Sequence, residues 1–484
     1  MKEDFYKKRF FKEEFPEVTI PEESRAASKR DRDRILFSRA FRRLSFKTQV
    51  VVSYGKITND HIRSRLTHSL EVMQIAEAMA DHINKTLKVG VDNSCVAAIA
   101  LGHDLGHSPY GHIGEQFFSK FLFGRKFKEK FKKIRHSFQS LKVCCFLEKH
   151  YKPDFYGLNL TISVLDGILK HSNLSDLELK LYKLIFDAYI NVFCNRPVNS
   201  CEIENIFKTN QPLTPEGLIV AIADEIAQLC HDIEDLRRIE SFNYVKDFYK
   251  QLIQLCEEYL PNIELYRKKH VSNLYQRIKS LIEKSKDINQ IERLYVKLLI
   301  ILSFTLIEKI FLFVNDKSLE DIPVYLGKFA NLQEVSGVDN NAKKLATFFE
   351  ELFKYYNKLL FDSPNVAKWD IKGNELIEEL CEKLFSIFKI QNNEKPNLSI
   401  FPKEQQEDLL KSYEAGNYLI NNEEFKKFLK QEGLYPDQSS NKKDENIIKD
   451  LPIKFIIWDY VSGMTDSYII REFESITFKR VAFD

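Results

Sequence analysis

No stretch of this 484-residue chain holds the ~20 consecutive apolar residues that a bilayer-spanning helix needs. The longest candidate, Leu294 to Val314, is interrupted by Lys297, Glu308 and Lys309 and reads as a buried helix. The opening MKEDFYKKRFF has no apolar centre of the kind a secretory signal carries. The eight cysteines (95, 144, 145, 194, 201, 230, 256 and 381) show no CxxC and no regular framework, so they read as reduced thiols. A GxxxxGKS phosphate loop is absent, which excludes a P-loop NTPase, and no internal repeat is found. Charge of one sign is also lacking. Lys and Arg number 72 against 70 Asp and Glu, which argues against a dedicated nucleic-acid-binding protein with an overall positive field. These absences lead to the expectation of a soluble, cytoplasmic protein with no membrane partner.

What is present is enough apolar material, 44% of the residues, for a sizeable core in one large or two fused domains. The most unusual stretch is LGHDLGHSPYGHIGE, Leu101 to Glu115. It gathers His103, His107, His112, Asp104 and Glu115 while glycines 102, 106, 111 and 114 and Pro109 interrupt it. An ordinary helix would lose stability from so many breakers. The gain lies in placing imidazoles and carboxylates around a small polar volume, and these are the ligand types that suit a divalent cation.

Apolar periodicity elsewhere predicts an all-α chain with at most a short β-hairpin. Residues 1–60 read as an N-terminal arm, with a charged aromatic start and a basic helix over 25–47 whose apolar face carries Ile35, Leu36, Phe37, Ala40, Phe41 and Leu44. TQVVVSY at 48–54 is the clearest strand signal. A helical core over 61–240 follows, with helices expected at 61–87, 93–104, 134–150, 160–171, 176–195 and 214–240. The C-terminal region 241–484 shows helical patterns at 241–286, 288–314, 344–360 and 373–390. Loops are expected at 315–325, 331–342 and 391–403, and the polar stretch Tyr435 to Lys449 reads as a mobile loop.

Helical spacing also groups polar residues. Arg65 and His68 are i and i+3, so they share a face. Asp224, Gln228 and Asp232 fall at i, i+4 and i+8. His112 and Glu115 are again i and i+3. A carboxylate at Asp224 on a mostly apolar helix is costly to bury uncompensated, and a metal would compensate it.

The set His68, His103, Asp104 and Asp224 resembles the H…HD…D signature of HD-domain metallophosphohydrolases. The motifs KTQV (47–50), RSRLTHSLEV (63–72), HDLGHSPYGHIGE (103–115), HSFQSLKV (136–143), ADEIAQLCHDIED (223–235) and DYVSGMTDSY (459–468) are together similar to the deoxyguanosine triphosphate triphosphohydrolase family. That resemblance implies one divalent metal (Mg, Mn or Fe) on His68, His103, Asp104 and Asp224. It implies His112 as the general acid, tuned by Glu115. Arg65, His107, His136 and Lys170 would contact the triphosphate, and Gln49 and Asp232 the sugar 3′-hydroxyl. The implied reaction turns a dNTP, with dGTP favoured, into deoxynucleoside and tripolyphosphate. The chain departs from the family at Gln228 and His171, where relatives often carry Tyr, and both changes bear on the substrate pocket. A homo-oligomer is also implied, and the 25–47 segment is a candidate for subunit contacts, an activating nucleotide or single-stranded DNA. Competing readings are another HD-type phosphohydrolase (nucleotidase, cyclic-nucleotide phosphodiesterase or alarmone hydrolase) and a nucleotide-sensing module without turnover.

Overall fold

The computed structural model describes residues 6–12, 26–49, 63–149, 156–172, 174–261, 263–265, 268–284, 287–314, 339–391, 396–434 and 448–477. Helices dominate them, and no strand or sheet occurs among the described residues, only isolated bridges such as Thr48 with Ser64. Most of the expected strand at 48–54, the loops over 315–325 and 331–338, and residues 435–447 of the polar stretch lie outside the described residues. The chain is all-α.

Local chemistry explains where the site-bearing helices begin. Ser64 caps Arg65–Leu87, accepting from the Thr67 N–H at 3.4 Å. Asp92 caps Asn93–Gly102 through the N–H groups of Ser94 and Cys95. Thr214 caps Pro215–Ile239, whose first helical residue is the proline. The run from Cys95 to Gly102 is buried throughout, because its small side chains let it lie between the His68 helix, Ala27–Leu36 and the Asp224 helix. No helix among the described residues is long and apolar enough to cross a membrane. All eight cysteines are free thiols.

Several boundaries differ from the periodicity. The helix expected over 93–104 stops at Gly102, and His103 and Asp104 fall in the turn after it. The segment 134–150 is a short α-helix, His136–Lys142, followed by one wide turn, Val143–Leu147, with i→i+5 bonding. The pattern over 241–286 divides into Phe242–Tyr259 and Lys268–Glu283. The helix expected at 373 already starts at Pro364, in Pro364–Gln391.

The basic 25–47 segment is not one exposed stripe. It folds into Ala27–Leu36 and Arg39–Arg43, and part of its charge is used internally. Asp31 pairs with Arg9 at 2.6 Å, and Arg34 donates to the carbonyls of Leu158 and Asn159. Lys47 is buried and donates to the carbonyls of His107 and Ser462.

The C-terminal motif closes the back of the fold. On Leu451–Ser462, Asp459 accepts from Lys142 at 2.6 Å, Ser412 at 2.8 Å and Gln139 at 3.3 Å, and also from Tyr189. Lys142 lies 3.5 Å from the Trp458 ring centre. Asp466 accepts from the N–H and hydroxyl of Thr48 and from the N–H of Tyr110. A residue more than 350 positions away thereby fixes both edges of the polar cavity described next.

Candidate active site

A cavity of about 940 Å³ opens where seven helices meet the Gly-broken turn, and Gln49, Arg65, His68, His112, Asp224 and Tyr356 are on its wall. The turn depends on two glycines. A Cβ at Gly106 would sit 2.0 Å from the Ser140 nitrogen and 2.7 Å from the His136 carbonyl oxygen. Gly111 has φ 59°, and a Cβ there would stand 2.8 Å from a guanidinium nitrogen of Arg65. No side chain fits either place.

At the base of the cavity, His68 Nε2 is 2.9 Å from Asp224 Oδ1 and 3.3 Å from His103 Nε2. His103 Nε2 is 3.6 Å from Asp224 Oδ1. Asp104 approaches within 3.5 Å of His103 Nε2 and 3.9 Å of His68 Nε2. Two donors each about 2.1 Å from one ion stand about 3 Å apart, so this spacing suits shared coordination. The rear ring nitrogens are already engaged. His103 Nδ1 donates to the Ala100 carbonyl at 2.6 Å. His68 Nδ1 meets His231 Nε2 at 3.2 Å, and His231 Nδ1 meets Glu71 at 2.8 Å. These outer contacts turn both Nε2 atoms toward the same point, as metal-binding imidazoles require. The donor set therefore fits a divalent cation.

Charge balance agrees. Burial alone would raise Asp104, but His103, His107 and Arg65 outweigh it and hold its carboxyl well below the usual range. Asp224 is likewise held down, against its burial, by His103 and His68. Burial opposes charge on His103, yet Asp104 and Asp224 raise it to about 9.

A second cluster adjoins the first. His107 and His136 stack with ring centres 3.7 Å apart. Glu115 accepts from the His136 N–H at 2.8 Å and from His136 Nδ1, while its other oxygen is 2.9 Å from His112 Nδ1 and 3.0 Å from Lys133 Nζ. The Lys133 charge, followed by burial, pulls His112 down to about 4 against the opposing Glu115 carboxylate. The His112 side chain is still 53% exposed to the cavity, where solvent weakens that pull. Burial, then Arg65 and His136, hold His107 neutral, far below its ordinary value.

The residues expected from sequence therefore divide. His68, Asp104, Asp224, Arg65, His107, His112, His136, Gln49 and Gln228 border the cavity, with His103 and Glu115 packed directly behind them. Lys170 is placed apart from them. Its ammonium is fully buried 2.6 Å from Asp166 and bonded to Thr209, away from the cavity wall. The i, i+4 spacing of Asp166 and Lys170 along one helix makes this local pair the cheaper partner for both charges. Asp232 is also displaced from the wall. It is buried behind Tyr356, whose hydroxyl donates to it at 2.6 Å. His171 lies in the interior too, 2.9 Å from His136 Nε2. Sequence reading missed Tyr356, Lys133 and the orienting His231. Only the ADEIAQLCHD spacing held a signal, since His231 precedes Asp232 on the helix that carries Asp224.

A family model described as "HD domain" matches residues 65–229. Three curated relatives bear the name deoxyguanosinetriphosphate triphosphohydrolase-like protein. The one from Wolinella succinogenes is 38% identical over 251 residues, covering 51% of this chain and 60% of that protein. The one from Geobacter metallireducens is 28% identical over 452 residues, covering 93% and 89%. The one from Rickettsia typhi is 32% identical over 295 residues, covering 58% and 69%.

Proposed function

The chain belongs to the deoxyguanosinetriphosphate triphosphohydrolase-like family of HD-domain phosphohydrolases, and from that premise we propose that it hydrolyses a deoxynucleoside triphosphate, dGTP foremost, to the deoxynucleoside and inorganic tripolyphosphate. The observation that carries this reading is the placement of a protonatable imidazole, His112, on the same cavity wall as His68, Asp104 and Asp224, with His103 directly behind them. An acid for a leaving alkoxide and a ligand set for a divalent ion are the two parts such a hydrolysis needs.

His68, His103, Asp104 and Asp224 would hold the metal, which when bound supplies polarisation of the α-phosphate and of the attacking water. His112 delivers a proton to the departing 5′-oxygen, and Glu115 keeps its ring oriented through Nδ1. Arg65, fixed on Asp104 at 2.9 Å, offers its guanidinium to the phosphates together with the neutral His107 and with His136. The side-chain oxygen of Gln49 is buried without a partner among the described residues, which leaves it to bond the sugar. Asp232 acts on the sugar through Tyr356 and Gln228 rather than by direct contact. The same cluster suits other HD-type phosphohydrolases, but the His112–Glu115 pair beside it favours the triphosphate reaction. Incubating metal-loaded protein with each dNTP and separating the products tests the proposal. Tripolyphosphate with free deoxynucleoside supports it, whereas orthophosphate or pyrophosphate, or no turnover, overturns it.

A further inference from the structure

His107, His112, His136 and Glu115 have donor atoms close enough to share one cation. The cation that stands among them is a lysine. Lys133 Nζ lies 3.0 Å from Glu115 Oε2 and 3.2 Å from His112 Nδ1, on the cavity wall. The backbone is bent to bring it there. After Arg125–Phe131, Lys132 takes φ 55°, a left-handed conformation that a side-chain-bearing residue adopts at a cost of roughly 1 kcal/mol. The chain is then pinned by the Ile134 N–H on the Glu115 carbonyl at 3.3 Å. Strain spent at such a place points to a role for the residue it positions.

The contacts of His112 Nδ1 compete. One nitrogen of a neutral ring carries a hydrogen or a lone pair, never both. Toward Glu115 at 2.9 Å it must donate, and toward Lys133 at 3.2 Å it must accept. With Lys133 in place the ring is driven to its neutral form, with the proton on Nε2. The rings nearest to it are His107 and His136, at centre separations of 5.5 and 6.1 Å, and neither ring supplies a negative charge. The wall of the same cavity also carries Arg65, Arg125, Lys132 and Arg135 and the carboxylates of Glu129 and Asp370. The Lys133 charge is also the largest influence lowering the proton affinity of His112. An arriving triphosphate offers an ammonium more negative charge than one shared carboxylate does.

We propose that Lys133 is a mobile positioning residue: it holds the His112–Glu115 pair at rest and moves its ammonium onto the substrate phosphates, leaving the Glu115 carboxylate to accept a hydrogen bond from a protonated His112 Nδ1. The ring takes that proton from solvent, Lys133 stays charged throughout, and the Nε2 proton is the one delivered to the departing oxygen. The inference rests on the triphosphohydrolase reading.

The test is a pair of pH profiles with dGTP for metal-loaded wild type, Lys133→Met and Lys133→Arg. The profile of kcat/KM reports the free enzyme and that of kcat the substrate complex. In wild type the alkaline limb of kcat/KM is expected at least about one pH unit below that of kcat, a tenfold difference in proton affinity. Lys133→Met raises KM on the order of tenfold for one lost charged contact, and its kcat/KM limb moves up to meet that of kcat. Lys133→Arg keeps both KM and the separation near wild type. Should Lys133→Met melt far below wild type, Lys133→Gln gives the same readings. A raised KM with unmoved limbs makes Lys133 a plain phosphate contact and overturns the proposal, as does a KM that stays put. Wild-type turnover with coincident limbs removes this inference alone, while a wild type that releases no tripolyphosphate removes the functional reading and this inference with it.

Discussion

Replacing Glu115 with Gln keeps the shape of the side chain and removes the charge that four donors share. One carboxylate oxygen serves the His136 N–H and Nδ1, and the other serves His112 Nδ1 and Lys133. A glutamine has one acceptor. If its oxygen stays with His136, its NH₂ must face Lys133 and His112. One hydrogen bond to a charged group, from Lys133 at rest or from the protonated His112 Nδ1 in the substrate complex, becomes a donor-to-donor contact, a loss of about 1.5–3 kcal/mol in either state. Part of this appears in folding stability and part in the placement of the acid. If about 3 kcal/mol falls on the transition state, kcat drops on the order of a hundredfold. The carboxylate that raises the proton affinity of His112 is then gone, so the alkaline limb of kcat shifts to lower pH. KM should change only a few-fold, and elemental analysis should find the bound metal unchanged, because Glu115 lies outside the donor set on His68, His103 and Asp224. The assay is the initial rate of deoxynucleoside release across pH. A variant within threefold of the wild-type kcat would refute the assignment of Glu115 as the group that orients His112.

Further outcomes follow from the same geometry. Asp224→Ala removes the carboxylate that meets both His68 and His103, so the purified variant should lose its metal by elemental analysis; full metal content would place the ion elsewhere. Gly106→Ala puts a methyl into the backbone of the His136 helix, 2.0 Å from Ser140 N. We expect a stability loss above about 3 kcal/mol by chemical denaturation, and a wild-type midpoint would contradict the turn described above. Asp232 is raised to about 8 from 3.8, chiefly by burial, with Asp235 adding to it and the Tyr356 hydrogen bond opposing. A carboxyl whose folded value is raised stabilises the protein at low pH and loses that contribution as pH rises toward its folded value. Asp232→Asn lacks this dependence, so the variant should gain on wild type by up to about 1.4 kcal/mol per pH unit between pH 3.8 and about 8. Parallel stability curves would contradict a protonated Asp232.

Much of the site was legible because its residues lie on local spacings. The i, i+3 pair of Arg65 and His68 and the adjacent His103–Asp104 need only a helix or a tight turn to face one way. Lys170 is expected only from the family resemblance, which assigns a role but not a local partner, and Asp166 one turn away is paired with its charge. Tyr356 and Lys133 reach the cavity through tertiary packing, and Lys133 also through a left-handed residue no motif announces. Helix interiors followed their apolar period, whereas boundaries failed where Gly102 ended a helix before His103 and where Val143–Leu147 widened into another bonding pattern. The tie between Asp459 and Lys142 spans 317 residues, a distance at which a single sequence carries no pairing information.

The most direct test of the chemistry is hydrolysis of dGTP by the metal-loaded protein in ¹⁸O-labelled water, followed by ³¹P NMR of the products. Attack at the α-phosphorus with His112 protonating the 5′-oxygen places the label on a terminal phosphate of tripolyphosphate and leaves the deoxyguanosine unlabelled. Label in the deoxyguanosine hydroxyl, or in orthophosphate released alone, would contradict the account.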